Sequence, residues 1–361
     1  MAKAVAAEKQ YIDAFLKLTL RPASAADVFP LLTSLTPDQR REFVDLANSN
    51  HVIIRAFEVI NRVAGNRGNA GIQAWAISVL TVERARIATA LAQLEQVCDA
   101  LDEEDCPVVV MKTLDHWPDL GNDLDLVSTG DRNDIVRIFK EKFHAHLERR
   151  SWGDRLANKW NFSIPGLPES IEAHIGRLGQ TGEHVELAHR FIDRRVATQL
   201  NGHKFFTPAP EERIFAATLQ RVYRHFYFRV CDILNTASLV ETGEVDFIEL
   251  RRAADRAGIW KGVATYLNIV SEYVKQYRGT GLNIPSEVVR VATVGADKMY
   301  TKARFLRLPI IPYAAQLYTR QITEAAIRGN VPATFRLSLL PPLASAAAVA
   351  FKITGSDKGV W

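Results

Sequence analysis

A strand-like segment that carries two aspartates, GNDLDLV at residues 121–127, constrains this chain more than any other feature. Residues two apart on a strand point to the same face, so Asp123 and Asp125 project side by side while the alternating leucines face the opposite way. This alternation predicts a strand with one face in a core. The two carboxylates repel each other, and a divalent cation between them relieves the repulsion. The alternative is a solvent-exposed strand edge whose charges block aggregation.

Paired carboxylates suit Mg²⁺, which binds one or two of them and keeps waters or substrate phosphates in the rest of its shell. A site with two ions about 3.5–4 Å apart needs a third carboxylate from a neighbouring strand. The segment SIEAHIG places Glu172 on another predicted strand of the same region, although a single glutamate there can also be solvent-exposed. Asp115 and Asp119 lie in the loop DHWPDLGN, where we expect solvated side chains.

The sequence around this strand predicts an α+β protein, with a small mixed-sheet core flanked by N-terminal and C-terminal helical regions. Helical periodicity dominates before the core and returns after it, whereas the core has short β-branched segments around one amphipathic helix. The predicted regions are a helical N-terminal part at residues 1–104, the α/β core at 105–207, a helical domain at 208–300 and a C-terminal helical tail at 301–361.

Local signals support several of these elements. Thr36 followed by Pro37 indicates a helix start, and a helical pattern runs from about residue 72 to 101. Asn201-Gly202 suits a tight hairpin turn within the core. Pro210 and two glutamates open a long helical pattern that we predict to continue to about residue 240.

Composition excludes several classes of protein. The chain has 361 residues, 47% of them hydrophobic and 24% charged, which is typical of a globular protein. Its net charge of +4 is too small to indicate a nucleic-acid-binding domain, so no specific nucleic acid partner is expected. Three cysteines without CxxC spacing favour reduced thiols over disulfides or a zinc site. No segment reaches the about 20 apolar residues of a membrane-spanning helix, and the first residues are not typical of a secretion signal, so we expect a cytoplasmic protein.

The order of these segments resembles the uncharacterised nucleotidyltransferase family of bacteria, within the polymerase-β-like nucleotidyltransferase superfamily. That family has an apolar strand ending in Lys-Gly, a loop, an Asp-x-Asp strand and a later strand with a carboxylate followed by histidine. A helical half with an Arg/His-rich helix and an aspartate comes after. The resemblance covers about residues 105–270. The matching positions are Lys112, Asp123, Asp125, Glu172, His174, His225, Arg229 and Asp232.

The resemblance implies a nucleotidyltransferase-like core that transfers an NMP group from an NTP to an unidentified hydroxyl or phosphate acceptor, with Mg²⁺ or Mn²⁺ as cofactor. Asp123, Asp125 and Glu172 would be the catalytic and metal-binding residues, and Glu172 would also help to activate the acceptor oxygen. The nucleotide-binding residues would be Lys112, Thr113, His174, His225, Arg229 and Asp232.

Two positions depart from the family pattern. Thr113 stands where glycine is expected, and Asn122 stands where an arginine precedes the acidic pair. Glycine lets backbone N–H groups approach a triphosphate closely. A turn with Thr113 in this position would have to bring the N–H groups to the phosphate at negative φ, and the threonine hydroxyl could serve as an additional donor. No GxxxxGK or GxGxxG motif occurs to take over phosphate binding. A second hypothesis is therefore a catalytically degenerate binding module with the nucleotidyltransferase fold.

Two further expectations carry their own alternatives. His225, Arg229 and Asp232 lie at helical spacings of four and three, so the alternative to a nucleotide contact is a salt-bridge stripe along one helix. The segment at residues 301–321 mixes basic and apolar residues, as helices in peripheral membrane contact do. The alternative there is a basic helix end packed on its own domain.

Overall fold

The N-terminal region is a layer of helices in the computed structural model, which describes residues 2–343. Thr36 caps a helix through a capping box with Gln39, as the Thr-Pro signal predicts, and Phe43 and Leu46 on the inner face of this helix are buried. The long pattern at 72–101 is confirmed as one helix. The helices are α1 (Ala2–Leu20), α2 (Ala25–Ser34), α3 (Pro37–Ser49), α4 (Ile53–Asn66) and α5 (Ala70–Asp102).

The following region contains the sheet. Its elements are β1 (Val108–Val110), β2 (Asp123–Ser128), α6 (Arg132–Phe143), β3 (His146–Leu147), α7 (Trp152–Leu156), β4 (Lys159–Ser163), β5 (Ser170–Ile175), α8 (Val185–Asp193), β6 (Val196–Leu200) and β7 (His203–Thr207). Five of these strands form a mixed sheet in the order β1-β2-β5-β4-β3. Only β2 and β5 pair in parallel, and parallel neighbours need a crossover connection, which here includes α6. The α+β prediction is confirmed.

The faces of the two central strands differ as the alternation predicts. Leu124 and Leu126 of β2 lie opposite Ile171 and Ala173 of β5, and all four side chains are buried. The intervening positions of both strands therefore point to the other face of the sheet, which includes the aspartate pair.

The hairpin β6–β7 is a sheet of its own, so the mixed-sheet core predicted for residues 105–207 is not a single sheet. Asn201 and Gly202 have φ of +49° and +89° in its turn, which confirms the predicted tight turn. The hairpin is held instead against α5. Glu95 accepts hydrogen bonds from the backbone N–H of Lys204 at 2.8 Å and lies 2.6 Å from His203 Nδ1.

The prediction of one long helix after Pro210 is wrong, because the helix is interrupted between residues 219 and 229. Helix α9 (Pro210–Thr218) passes into a π-helix (Leu219–His225), which is followed by β8 (Tyr227–Phe228) and α10 (Val230–Glu241). The break occurs because Phe226 takes a left-handed conformation, with φ of +55°. Arg229 then serves as the N-cap of α10, and its backbone N–H donates to Asp232 at 2.6 Å.

From residue 242 to residue 343, the described elements are helices except for one hairpin, so residues 301–307 of the predicted helical tail are not a helix. Lys302 and Arg307 lie on β-strands, and the tight turn between the strands has Arg304 at φ of +71°. The predicted membrane contact of this region stays a prediction, and residues 344–361 of the tail lie outside the described part. The elements are α11 (Phe247–Ala257), α12 (Trp260–Arg278), α13 (Ser286–Val291), β9 (Tyr300–Lys302), β10 (Phe305–Arg307), α14 (Ala315–Ile327) and α15 (Val331–Ser338).

The described part of the chain contains neither a membrane-spanning helix nor a disulfide bond. Within residues 2–343, no helix combines the length and the apolar character that crossing a membrane requires. Cys98, Cys106 and Cys231 are buried and are not paired in disulfides.

Candidate functional site

Three side chains of metal-ligand type meet where β2 lies beside β5. The parallel register places Asp125 directly opposite Glu172, and His174 lies two residues further along β5 on the same face. One ligand atom of each residue lies within 4.8 Å of the other two. Asp123 is on this face as well, opposite Ser170 at the start of β2. The strand alternation and the parallel pairing together produce this convergence of carboxylates.

Two buried lysines neutralise part of this acidic cluster. Lys112 Nζ lies 2.6 Å from Asp125 Oδ1, and Lys159 Nζ forms an ion pair with Glu172 Oε2. Lys159 was missed in the sequence analysis, although one signal was present. It is a lysine at the first position of the predicted strand KWNFSI, and antiparallel pairing of β4 with β5 places it opposite His174.

The pKa values of Asp123 and Glu172 are shifted in opposite directions. Asp123 stands at the exposed start of β2, yet desolvation by the surrounding protein, followed by the negative charges of Asp125 and Glu172, raises its pKa to about 6. Burial also acts to raise the pKa of Glu172, but the hydrogen bond from His174 and the charge of Lys159 outweigh it and hold that pKa well below its usual range. The charges of Asp125 and Glu172 therefore act against the ionised form of Asp123.

The ring of His174 is oriented by its carboxylate neighbour. His174 Nε2 lies 2.8 Å from Glu172 Oε1 and 3.9 Å from Asp125 Oδ1. Nε2 carries a hydrogen in this position, because a carboxylate oxygen can only accept. Its Nδ1 atom is buried and has no hydrogen-bond partner among residues 2–343.

The donor set fits a divalent cation. Carboxylate oxygens are the ligands that Mg²⁺ and Mn²⁺ prefer, and His174 would add a nitrogen ligand for Mn²⁺ if its Nε2 lost the hydrogen that it shares with Glu172. Asp123, Asp125 and Glu172 carry three negative charges against the two ammonium groups of Lys112 and Lys159. One negative charge is therefore left without a lysine partner, which favours an added cation.

The turn before β2 has its positive-φ residue at Lys112, one residue before Thr113, the position where the family pattern has glycine. Lys112 has φ of +63° and ψ of −49°, and the N–H of Thr113 donates to Met111 O at 2.6 Å, which makes a γ-turn. Thr113 itself is buried and is not among the residues with positive φ. Its hydroxyl accepts from the N–H of Asp125 at 2.8 Å and donates to Asp123 O at 3.3 Å. The hydroxyl therefore holds the start of β2, which corrects the expectation that it is free to bind a phosphate.

The three residues from the helical half do not share one helix face, so the expected spacing argument is wrong. His225 ends the π-helix, whereas Arg229 and Asp232 belong to the start of α10. Asp232 is buried, and its Oδ2 lies 2.6 Å from Arg221 Nε. Burial first, and then nearby arginines, lower the pKa of His225 well below its ordinary value, so its ring is neutral. Arg229 lies 5.9 Å from the centre of the Tyr227 ring. The predicted nucleotide contacts of these residues stay predictions.

The loop between β1 and β2 is buried rather than solvated, which corrects the expectation for its two aspartates. Asp115 Oδ1 lies 2.7 Å from Arg213 Nε. Asp119 is 1% exposed and accepts from the N–H of Ile54 at 2.6 Å at the start of α4. Burial raises the pKa of Asp119 to about 7, although Arg55 and the backbone hydrogen bonds act to lower it. No local pattern in the loop indicates that it caps a helix more than 60 residues away.

Two narrow gaps share Lys112 as part of their walls. One, beside Asp115 and Asn235, has a volume of about 30 Å³. The other, beside His174 and Gln180, has a volume of about 40 Å³, and we call it the Gln180 gap. Since Lys112 also contacts Asp125, both gaps adjoin the acidic cluster.

Comparison with solved structures finds distant structural overlap. No family model and no curated protein matches this chain. The solution structure of the antibiotic-resistance factor ANT(2'')-Ia overlaps with a TM-score of 0.30 at 12% sequence identity, over 53% of this chain and 95% of that chain. An overlap of this quality supports no argument about fold or activity.

Proposed function

We propose that this chain is a nucleotidyltransferase that uses Mg²⁺ or Mn²⁺ to transfer an NMP group from an NTP to a hydroxyl or phosphate acceptor. One observation carries the proposal. Asp125 and Glu172 lie opposite each other on parallel strands, with Asp123 on the same face and its pKa raised to about 6. A folded protein that holds ligand atoms of Asp125, Glu172 and His174 within 4.8 Å of one another, with Asp123 on the same face, has a site where added positive charge is stabilising.

The acidic residues and the two lysines have separate tasks in this proposal. Asp123, Asp125 and Glu172 would hold the cation, which when bound stabilises the charge that develops during an in-line displacement. Lys112 stands at the boundary of both gaps and supplies an ammonium group for phosphate oxygens. Lys159 stays buried against Glu172 and keeps this carboxylate ionised.

The alternative is a catalytically degenerate binding module, and specific contacts favour it. Lys112 and Lys159 already provide positive charge where cations would otherwise sit. The hydroxyl of Thr113 is used inside the fold, so the turn lacks the phosphate donor that the sequence suggested. A module of this kind would bind a nucleotide without turnover.

The test is incubation of the protein with each NTP labelled on its α-phosphate, with Mg²⁺ or Mn²⁺ and a lysate as the source of acceptors. We expect label to move to a cellular compound, and we expect the double variant Asp123→Asn, Asp125→Asn to transfer none. Nucleotide binding without transfer by the unmodified protein would support the binding module. Equal transfer by the double variant would refute the role of the aspartate pair.

A further inference from the structure

Arg86 on α5 connects the N-terminal helical layer to the sheet. Its guanidinium group is paired with two buried carboxylates, that of Glu83 on the same helix and that of Glu169 just before β5. Arg86 Nε lies 3.0 Å from Glu83 Oε2, and Nη2 lies 2.6 Å from Glu83 Oε1. Nη1 donates to Glu169 Oε1. Paired charge-assisted hydrogen bonds of this kind fix the orientation of a guanidinium plane.

The same guanidinium group reaches the loop that leads into β2. Nη2 lies 3.3 Å from Leu120 O, and Nη1 lies 3.4 Å from Gly121 O, two residues before Asp123. Arginine carries five N–H donors in one rigid plane, so Arg86 can serve two carboxylates and two carbonyl groups at once. The three donors of a lysine ammonium group cannot reproduce this arrangement.

The two anchored segments enter the sheet side by side. Glu169 immediately precedes Ser170, which lies opposite Asp123 in the parallel register. Further along, the strands are held by buried apolar side chains such as Leu124 and Ile171. Asp123 is the first residue of β2 and is exposed, so its position depends more on the anchored loop than on packing of its own side chain.

Other contacts from the N-terminal layer hold the same loop upstream. Arg55 of α4 donates from Nη2 to His116 O and to Trp117 O, at 2.7 Å each. Asp119 accepts from the backbone at the start of α4. The loop between β1 and β2 is thus fixed at several points by α4 and α5, and the contacts of Arg86 are the ones next to the acidic strand.

We infer that Arg86 is a positioning residue of the metal site, which keeps Asp123 beside Asp125 and Glu172 by fixing the starts of β2 and β5 and contacts neither the cation nor the nucleotide. This inference rests on the proposed function, because it takes the acidic cluster as a cation site. It makes the N-terminal layer part of the site, although the resemblance begins only near residue 105.

Position and charge predict effects of opposite sign on cation binding. A guanidinium group near a cation site repels the cation, so an Arg86 that acted by its charge alone would weaken binding, and its removal would strengthen it. An Arg86 that positions Asp123 strengthens binding, and its removal weakens it. A variant that keeps the charge and loses the planar fork should also weaken binding.

The experiment measures the dissociation constant of Mn²⁺ by isothermal titration calorimetry, without nucleotide. We expect Arg86→Lys to bind Mn²⁺ about tenfold more weakly than the unmodified protein, the lower end of the effect of residues that orient metal ligands. Arg86→Gln should also bind more weakly. The matched control is Arg84→Lys, because Arg84 lies on the same helix and pairs at the surface with Glu58 at 2.8 Å. Its Mn²⁺ affinity should be unchanged.

A second control separates positioning from a general loss of stability. Urea unfolding should show that the Arg86 variants are less stable, because Glu83 and Glu169 stay buried. Phe43 of α3 is 0% exposed, and its ring centre lies 4.5 Å from that of Phe15. Phe43→Leu should therefore also lose stability in the same assay, yet bind Mn²⁺ as the unmodified protein does.

Several results would overturn the inference. These are unchanged Mn²⁺ affinity in Arg86→Lys, tighter Mn²⁺ binding by Arg86→Gln, or equal weakening in Phe43→Leu. If Arg86→Gln does not fold, Arg86→Lys decides. Weaker NTP binding by Arg86→Lys with unchanged Mn²⁺ affinity would instead make Arg86 a nucleotide contact. The expected Mn²⁺ results without any NMP transfer by the unmodified protein would keep the positioning role and refute the proposed function. Absence of Mn²⁺ binding by the unmodified protein would refute both.

Discussion

Replacement of Lys159 by methionine tests whether this lysine and a divalent cation act on the same carboxylate. Lys159 is buried, pairs with Glu172 and lies 3.7 Å from Asp154. Removing one partner of a buried ion pair typically costs about 3–5 kcal/mol, because the other charge stays buried. Glu172 keeps its hydrogen bond with His174, so we expect the lower end, a loss of about 3 kcal/mol in the free energy of unfolding without added metal.

A bound divalent cation should restore much of the free energy of unfolding that Lys159→Met loses. A ligand at about 100 times its dissociation constant stabilises a folded protein by about 2.7 kcal/mol, and this gain grows with affinity. Without the ammonium group of Lys159, Glu172 attracts a cation more strongly. We therefore expect Mg²⁺ or Mn²⁺ to stabilise Lys159→Met by about 1–2 kcal/mol more than the unmodified protein, about a tenfold gain in affinity.

The assay is urea unfolding followed by circular dichroism, with EDTA in one series and Mg²⁺ or Mn²⁺ in the other. Lys142→Met is the control, because Lys142 forms a surface ion pair with Glu103 at 3.2 Å. An exposed pair of this kind contributes at most about 1 kcal/mol, and its loss should not change the response to metal. An equal or smaller metal response in Lys159→Met would show that the cation does not replace the charge of Lys159, and the proposed metal site would be wrong.

Three other predictions test the same region. The double variant Asp123→Ala, Asp125→Ala should lose the rise in melting temperature that Mg²⁺ or Mn²⁺ with NTP gives the unmodified protein, and an unchanged rise would place the ion elsewhere. Thr113→Val should lower the free energy of unfolding by about 1–3 kcal/mol because the N–H of Asp125 loses its acceptor, whereas Thr113→Ser should stay close to the unmodified protein in the same urea assay. The folded protein raises the pKa of Asp119 to about 7, so the folded state keeps a proton that the unfolded chain releases near pH 4. Between about pH 4 and pH 7, the free energy of unfolding of the unmodified protein should therefore fall relative to that of Asp119→Asn. The slope should reach up to about 1.4 kcal/mol per pH unit. A pH-independent difference in urea unfolding would contradict that pKa.

The aspartate pair and its third carboxylate were predictable because each depends on a local pattern. Alternation along β2 and β5 settles which side chains share a face, and Asp123, Asp125 and Glu172 all obey it. Which strands become neighbours is not local. The position of Lys159 depends on β4 pairing antiparallel with β5, and nothing within KWNFSI specifies that partner.

The errors have the same origin in tertiary contacts. The helix after Pro210 was predicted to run on because its residues are good helix formers, yet β8 pairs with β10, about 80 residues later in the chain. That pairing and the left-handed Phe226 override local propensity. Asp119 looked like a solvated loop residue because its partner, the start of α4, is distant in sequence.

The ion pair between Lys112 and Asp125 has a different role in an active nucleotidyltransferase than in a degenerate binding module. A γ-turn at a non-glycine residue stores roughly 1–3 kcal/mol of strain, and the ion pair with Asp125 is one interaction that offsets it. In an active enzyme, a cation on Asp125 competes with this ammonium group, so Lys112 becomes available to phosphate oxygens when the cation is present. In a degenerate module, the ion pair is permanent and replaces the cation. The two hypotheses therefore differ in one measurable respect, because only the first requires that NTP and the divalent cation strengthen each other's binding.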